Sequence, residues 1–331
     1  MADRLVQEPY LYVEIDNKDV SAYITPYLTS FTYLDNDGIH EKESDDVEIE
    51  LEDTLSFFRD KPPARGSVLK VRFGYTNKIR DAGVFYIDGF TYTSSREGDK
   101  FTIKALTKDI QKSFQEVKTQ AFENTTLKRI AEDIAKKQGY KLDFKGDDVA
   151  FDRLTQNQKR DLQFLAEICN LYGYTCKVSN KTIVIRSLEE RLGSNTIYVL
   201  TRDVVKEFSF EVSSIFESGI DVEYLDPNKK AVVEDKAQAK VKASGSTKKI
   251  RKRVDSKKQA EKITQAQKKQ NEMKEIQASI TSIGIPELYA GGKIEIKGFG
   301  RFDMVYYISA ATHKVTRNGY ETELKLLKGA V

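Results

Sequence analysis

Along the first hundred residues apolar side chains alternate with polar or aromatic ones at a period of two. Leu11, Val13 and Ile15 do so, as do Val47, Ile49 and Leu51, then Val68 and Val71 through Phe73, and finally Phe101, Ile103 and Ala105. That period belongs to strands with one buried face, and Gly, Pro, Asp and Asn punctuate the runs. The pattern predicts an antiparallel sheet over residues 8–108, curled into a barrel or sandwich to hide its edges. The period then changes. Leu127, Ile130, Ala131 and Ile134 stand at helical spacing after a capping Thr125 or Thr126 and before a stop at Gly139, with a strand over 140–144. The scheme recurs about 35 residues later, with Leu162, Leu165, Ala166 and Cys169 on one face, a stop at Gly173 and a strand over 174–178. Residues 118–190 therefore read as a compact α/β insert built from one helix-Gly-Tyr-strand unit written twice. Strands resume over 197–200, 204–212 and 219–224, yet the closing hairpins come only after residue 290.

A larger repeat brackets the chain. Residues 84–106 align without gaps on 305–327, with identity at Val84/Val305, Tyr86/Tyr307, Ile87/Ile308, Thr91/Thr312, Arg96/Arg317, Gly98/Gly319, Lys104/Lys325 and Leu106/Leu327. That is eight of 23 positions, where average residue usage gives about one or two. Upstream, 65–74 resembles 290–300 in its small residue, Gly, alternating strand and Gly. The chain thus divides into a first β unit (1–110), the α/β insert (111–192) and a second β unit (193–331). Residues 227–282 interrupt the second unit. Their first half, with Ser244, Gly245 and Ser246, reads as an exposed loop; from about Asp255 to Ser279 helix formers dominate, with a thin apolar stripe of Ile263, Ala266, Met273 and Ile280. The fold class is mainly β with an α+β insert, the second β unit carrying a basic, partly helical insertion.

Composition narrows the classes. The 331 residues suffice for two or three cores. Charged residues make up 32% and aromatics 10%, which fits a folded chain and not a disordered one. No apolar run approaches the roughly 18 residues of a membrane helix, and the N-terminal sequence does not read as a signal peptide. With only Cys169 and Cys176, neither a disulfide framework nor a cysteine zinc site is expected. The net charge of +3 conceals an asymmetry: residues 1–60 carry 16 acidic and 4 basic side chains, residues 227–280 carry 6 acidic and 16 basic. Opposite ends of that strength attract within or between subunits, and such contacts weaken with salt.

The order of units and the segment 284–323 resemble the late control D proteins, the central hub of contractile phage tails, related to the hub half of type VI secretion spike proteins. In that family a P-x-L-x-a-G turn leads through a strand into a G-f-G-x-f-x-x-x-Y-x-I hairpin and then H-x-x-x-x-x-G-Y-x-T-x-L. This chain matches with Pro286, Leu288, Gly291, Gly298, Phe299, Gly300, Phe302, Tyr306 or Tyr307, Ile308, His313, Gly319, Tyr320, Thr322 and Leu324. Residues 158–174 also look like the family's F-L-x-x-L-a-x-x-x-G-Y segment, whereas Met304 stands where the family has a small residue. The resemblance implies two tail-tube-like β-barrel domains flanking the small α/β domain. It implies a homotrimer whose six quasi-equivalent barrels join a sixfold tail tube ring to a threefold tail spike protein. Baseplate wedge proteins and the tape-measure protein are further implied partners. Assembly is then expected in a bacterial cytoplasm, with the product in a virion or tail-like particle and no membrane contact in the resting state. The chain ends without a long run of short strands, so the spike is expected on a separate polypeptide.

Each chemically suggestive residue has a structural reading that is preferred here. His313 falls in a predicted strand with only His40 as company, and Cys169 lies on an apolar helix face, so neither predicts a metal, cofactor or catalytic site. Glu48, Glu50 and Glu52 share one strand face opposite Val47, Ile49 and Leu51, as a solvated or pore-facing strand requires. An acid/base pair there would make the protein a baseplate-associated cell-wall hydrolase, the enzymatic alternative. Gly291, Gly298 and Gly300 precede strands instead of a helix, so they serve turns and not phosphates. The basic run Lys248, Lys249, Arg251, Lys252, Arg253, Lys257 and Lys258 is a candidate electrostatic contact. It lacks the interleaved aromatics of a base-stacking surface, which leaves a basic nucleic-acid-binding structural protein as the second alternative and nucleic acid as passing cargo.

Overall fold

The computed structural model describes residues 8–38, 45–96, 98–107, 116–213, 219–226, 231–238, 247–251, 254 and 256–329, with backbone alone for the strands between 219 and 251. The fold is mainly β. The first unit contains β1 (Pro9–Ile15), β2 (Lys18–Asp19), β3 (Leu28–Asn36), β4 (Asp46–Glu52), β5 (Val68–Tyr75), β6 (Lys78–Ser95) and β7 (Gly98–Leu106). The second contains β13 (Tyr198–Thr201), β14 (Val205–Val212), β18 (Ile276–Ile283), β19 (Lys293–Lys297), β20 (Val305–Thr316) and β21 (Gly319–Lys328). Between them lie β8 (Lys118–Thr126), α1 (Leu127–Lys137), β9 (Lys141–Lys145), β10 (Ala150–Lys159), α2 (Asp161–Leu171), β11 (Tyr174–Ser179), β12 (Thr182–Ser187) and α3 (Leu188–Gly193). Next come β15 (Gly219–Asp226), just before the insertion, and, within it, β16 (Ala231–Gln238), β17 (Thr247–Arg251) and α4 (Lys257–Met273).

Both β units use one strand plan. The first runs β3-β4-β7-β6-β5-β1, and the second β14-β18-β21-β20-β19-β13. The repeat extends to its irregularities: the ladder shifts between Ile87 and Gly89 in the first hairpin and at the matching Ile308 and Ala310 in the second. A third correspondence lies in the shifts between Leu28 and Ser30 in β3 and between Val205 and Glu207 in β14. Gly66 N–H donates to Ile87 O at 2.8 Å and Gly291 N–H to Ile308 O at 2.8 Å, each glycine at positive φ, +84° and +87°. Bulges bend a strand and sharpen its twist, so their repetition gives the two units the same curvature. The outermost pairs differ, β1 lying antiparallel to β5 and β13 parallel to β19.

The two units are fused edge to edge. Residues 30–36 of β3 pair antiparallel with 310–316 of β20, making one 13-stranded sheet. Val13, Phe31, Ile49, Phe73, Phe85 and Phe101 fill the first core, to which Val315 and Tyr320 of the second unit also belong. Leu200, Ile280, Ile294, Tyr306, Ile308 and Leu324 fill the second.

The insert follows its doubled plan. Thr126 Oγ1 accepts from Arg129 N–H at 3.2 Å and caps α1, and Gly139 and Gly173 turn the chain at φ +67° and +77°. Leu165 and Cys169 are buried on α2, as expected, and β10 is an additional strand that pairs with β8.

Three expectations for residues 227–282 are corrected. The first half is not all loop, since β16 and β17 flank β15 in a three-stranded sheet; Ser244, Gly245 and Ser246 lie outside the described residues. The helix stops at Met273, and 276–283 form β18 because Ala278 and Ile280 turn inward at period two. Nor does α4 belong to the second β unit. Val254, Ala260 and Ile263 join the core of the α/β insert, and Gln267 and Gln270 donate to Asn170 O at 3.2 and 2.9 Å. No helix among the described residues is long and apolar enough to cross a membrane.

Helix α4 passes so close to Gly173 that a Cβ there would lie 2.8 Å from Ala266 Cβ, while Gly139 faces open space. Gly139→Ala is expected to cost about 1 kcal/mol, the left-handed backbone penalty alone. Gly173→Ala should cost about 2–4 kcal/mol, the same penalty plus overpacking. Urea denaturation of the two variants checks the difference.

Candidate functional site

Three units converge on one buried polar cluster. Asp35 stands near the end of β3 and Asp45 just before β4, exposed by only 1% and 2%. Arg80 comes from β6, Lys177 from β11 of the insert, and His313 from the middle of β20. Arg80 Nη2 donates to Asp35 Oδ2 at 2.7 Å, and Lys177 Nζ reaches Asp35 Oδ1 at 2.6 Å and Asp45 Oδ2 at 3.3 Å. Ala290 N–H and Asn36 N–H complete the acceptors, at 3.2 Å to Asp35 and 2.9 Å to Asp45. Two carboxylates and two cations thus balance where isolated buried charges would be prohibitive.

The resembling motif closes the other side. Arg80 Nη1 donates to the carbonyls of Pro286, at 3.2 Å, and Leu288. His313 Nε2 lies 2.9 Å from Leu288 O, an acceptor only, and 3.2 Å from Arg80 Nη1, a donor only; the shorter contact favours the ring proton on Nε2. Nδ1 then accepts from the Tyr320 hydroxyl at 2.6 Å, and Thr322 Oγ1 lies 3.3 Å away while accepting from Ile285 N–H at 2.9 Å. Pro286, Leu288, His313, Tyr320 and Thr322 are therefore one construction, the seat in which the first unit's Arg80 rests. Gly291, Gly298, Gly300 and Gly319 take positive φ at turns. Phe299 packs on Phe208 and Phe210 at 5.1 and 5.7 Å, and Tyr307 is buried against Leu188 and Leu192 of α3.

The insert docks by close backbone approach. A Cβ on Gly38 would lie 2.4 Å from Cys176 O, and Asn180 Oδ1 accepts from Val84 N–H at 2.9 Å. On the second unit, Lys293 Nζ donates to Leu192 O at 2.6 Å.

Burial and Arg80 together push the His313 imidazole down to about 3, so it is neutral. Burial raises Asp45 to about 6, with Asp35 adding to the effect and Lys177 opposing it. For Asp35 burial acts upward too, but Lys177 and Arg80 outweigh it and hold the carboxyl below its ordinary value. The cluster is a lock and offers no substrate access: its carboxylates are sealed and ion-paired.

The other candidates fall elsewhere. Glu48, Glu50 and Glu52 face Lys104, Lys100 and Arg317 at 3.4, 3.1 and 3.2 Å, outside the first core, as the alternation predicts. Among the described residues no group of three His, Cys, Asp or Glu could hold a metal ion. Lys257 and Lys258 are exposed on the first turn of α4; Lys248, Lys249 and Arg251 lie on β17, and Lys252, Arg253 and His40 lie outside the described residues. Arg80, Asp35 and Lys177 escaped the sequence reading, and Asp45 stood out only as one of a run of carboxylates with Asp46, Glu48, Glu50 and Glu52. The partners of Arg80, Asp35 and Lys177 in the cluster are 45 to 255 residues away, and no local pattern marks them.

Two outcomes are expected. Lys177→Met should cost about 3–5 kcal/mol in urea denaturation, the range for stripping one partner from a buried ion pair. The unfolded imidazole takes a proton near pH 6.5 and the folded one only near 3, so the contribution of His313 is complete above 6.5 and is lost as the pH falls through that interval. Between pH 7.5 and 5 the protein should therefore lose about 2 kcal/mol more than His313→Gln does. Asp45 acts in the opposite sense, its share shrinking as the pH rises from about 4 to 6.

Neither a family model nor a curated protein sequence matches the chain. Solved structures do. The 43 kDa tail protein of prophage MuSo2 from Shewanella oneidensis superposes with a TM-score of 0.71 at 16% identity, covering 97% of this chain and 99% of that one. A tail protein from Neisseria meningitidis MC58 gives 0.73 at 12% identity, with 97% and 96% covered. The Escherichia coli c3393 protein is a type VI secretion component with structural similarity to the T4 bacteriophage tail proteins gp27 and gp5. It gives 0.60 at 12% identity, over 98% of this chain and 77% of that one. The chain has the fold of these tail proteins.

Proposed function

We propose that this chain is a non-enzymatic structural protein, the central hub of the baseplate in a contractile tail or tail-derived injection particle, of the late control D kind. The observation that carries the reading is the duplicated six-strand unit with its bulges in phase, fused through β3 and β20. Three chains supply six such units, so one face of the ring matches a sixfold tube ring while the assembly keeps the threefold symmetry of a spike. On this reading each unit curls into a tube-like barrel, with the insert outside it. The fold shared with solved tail proteins supports the class.

The mechanism is mechanical. The hub forms in the cytoplasm, seats the first tube ring and holds the spike. Wedge proteins grip it, and it opens or travels when the sheath contracts, with the tape-measure protein and passing nucleic acid in its channel.

Light scattering and single-particle imaging of the purified chain with its candidate spike protein test this. The expected result is a trimeric ring of six similar lobes around a channel. A monomer that ignores the spike, together with clearing on a peptidoglycan zymogram, would sink the hub and favour the hydrolase.

A further inference from the structure

The buried cluster brings into contact the groups from which an amide forms. Lys177 is the one lysine among the described residues whose ion-pair partners are two buried carboxylates, Asp35 and Asp45, with side chains 2% exposed each against its own 17%. Its Nζ lies 2.6 Å from Asp35 Oδ1, which puts the carboxyl carbon one bond further on, and 3.3 Å from Asp45 Oδ2. The other Asp35 oxygen, Oδ2, accepts from Arg80 Nη2 at 2.7 Å and from Ala290 N–H at 3.2 Å.

We propose that Lys177 Nζ condenses with the Asp35 carboxyl into an isopeptide bond that joins the α/β insert to the first β unit, Asp45 carrying a proton and one water leaving. The chain acts only on itself, so the step needs neither an external substrate nor the hub reading.

The atoms balance without an oxidant or a cofactor. The ammonium first gives one proton across the 2.6 Å contact to Asp35 Oδ1. The freed nitrogen lone pair attacks the carboxyl carbon, and the carbonyl pair moves onto Oδ2, where Arg80 and the Ala290 N–H receive the charge as an oxyanion site does. Asp45 Oδ2 then takes a second proton from the nitrogen and returns it to Oδ1, which departs as water while Oδ2 regains its double bond. The third hydrogen stays as the amide N–H. Asp45 ends as a carboxylate balanced by Arg80, so the linked cluster is still neutral.

Three features favour reaction over a lasting ion pair. Groups fixed in contact meet at effective concentrations of about 10⁵ M or more. Burial raises the Asp45 carboxyl to about 6, against the pull of Lys177, so it takes and gives a proton readily near neutral pH. The dry surroundings disfavour separated charges and do not retain the product water. Burial also draws the Lys177 amine down, yet Asp35 and Asp45 outweigh it and keep it above its ordinary value; the reactive amine is thus the minor form, and linking is slow and follows folding. Lys118 supplies a comparison within the chain. Its Nζ lies 2.6 Å from buried Asp161, but its second carboxylate, Glu116, is 3.8 Å away and 67% exposed.

Mass spectrometry of the full chain, denatured and reduced, tests the bond. The expected mass is one water below that of the sequence, and trypsin should release a branched peptide joining residues 19–42 to 161–181, uncut at Lys177. Because the bond closes a loop between positions 142 apart, the linked chain should also run ahead of Lys177→Arg on a denaturing gel. Asp45→Asn should slow linking about 100-fold or more, the range for losing an acid/base group. An intact mass equal to that of the sequence overturns the bond, as does loss of water without a branch, which ring closure at Asp37 before Gly38 would give. A branch from Lys177 to residues 43–59 moves the bond to Asp45 and overturns the assigned roles. Should Asp45→Asn fold poorly, the unaltered chain still decides: no branch is expected at Lys118, and linking there equal to that at Lys177 refutes the part given to Asp45.

Discussion

Two carboxylates buried side by side are the constraint on which the arrangement of this molecule depends. Asp35 and Asp45 lie at adjacent strand ends in the first β unit, and neither could stay ionised there unaided. The cations that neutralise them come from β6 and from the α/β insert, and the carbonyls that cradle one of those cations come from the second β unit. Charge balance is reached only when all three units are in place. Such a cluster is poor evidence for net stability, since apolar side chains of the same volume would often serve as well. Its effect is on specificity, because a misplaced insert or a slipped β3 would leave an unpaired charge in a dry space.

Around that lock the chain uses one β unit twice and gives its edges different fates. In the first unit the outer edge of β3 is covered from within the chain, and Val315 and Tyr320 finish its core. In the second unit the matching strand ends the sheet with Phe208 and Val212 in the open.

Much of the fold was legible in the sequence because it is local. Period two marked the strands, helical spacing with Gly139 and Gly173 marked the doubled αβ unit, and the gapless alignment of 84–106 on 305–327 marked the two hairpins as copies, while their shared bulge at Ile87 and Ile308 appears only in the structure. The insertion misled for physical reasons. Strands β16 and β17 carry charges densely along their lengths and so resemble loop, and no Gly or Pro separates the helix formers of α4 from β18. The alternation of Ile276, Ala278 and Ile280 was the available signal for that boundary. At the junction the motif residues Pro286, Leu288, His313, Tyr320 and Thr322 were visible as a set, whereas their partners were not. Arg80 and His313 are 233 residues apart, and only the fold makes them neighbours.

The seven-pair ladder between β3 and β20 is mechanically directional. Its hydrogen bonds run across the strands, so a pull along the strands shears all of them at once, while a pull across them opens the ladder one pair at a time. A part that must transmit a sudden axial thrust resists best with its strands near the line of force. The charged cluster pins one end of that ladder, at Asp35, which is where peeling would otherwise begin.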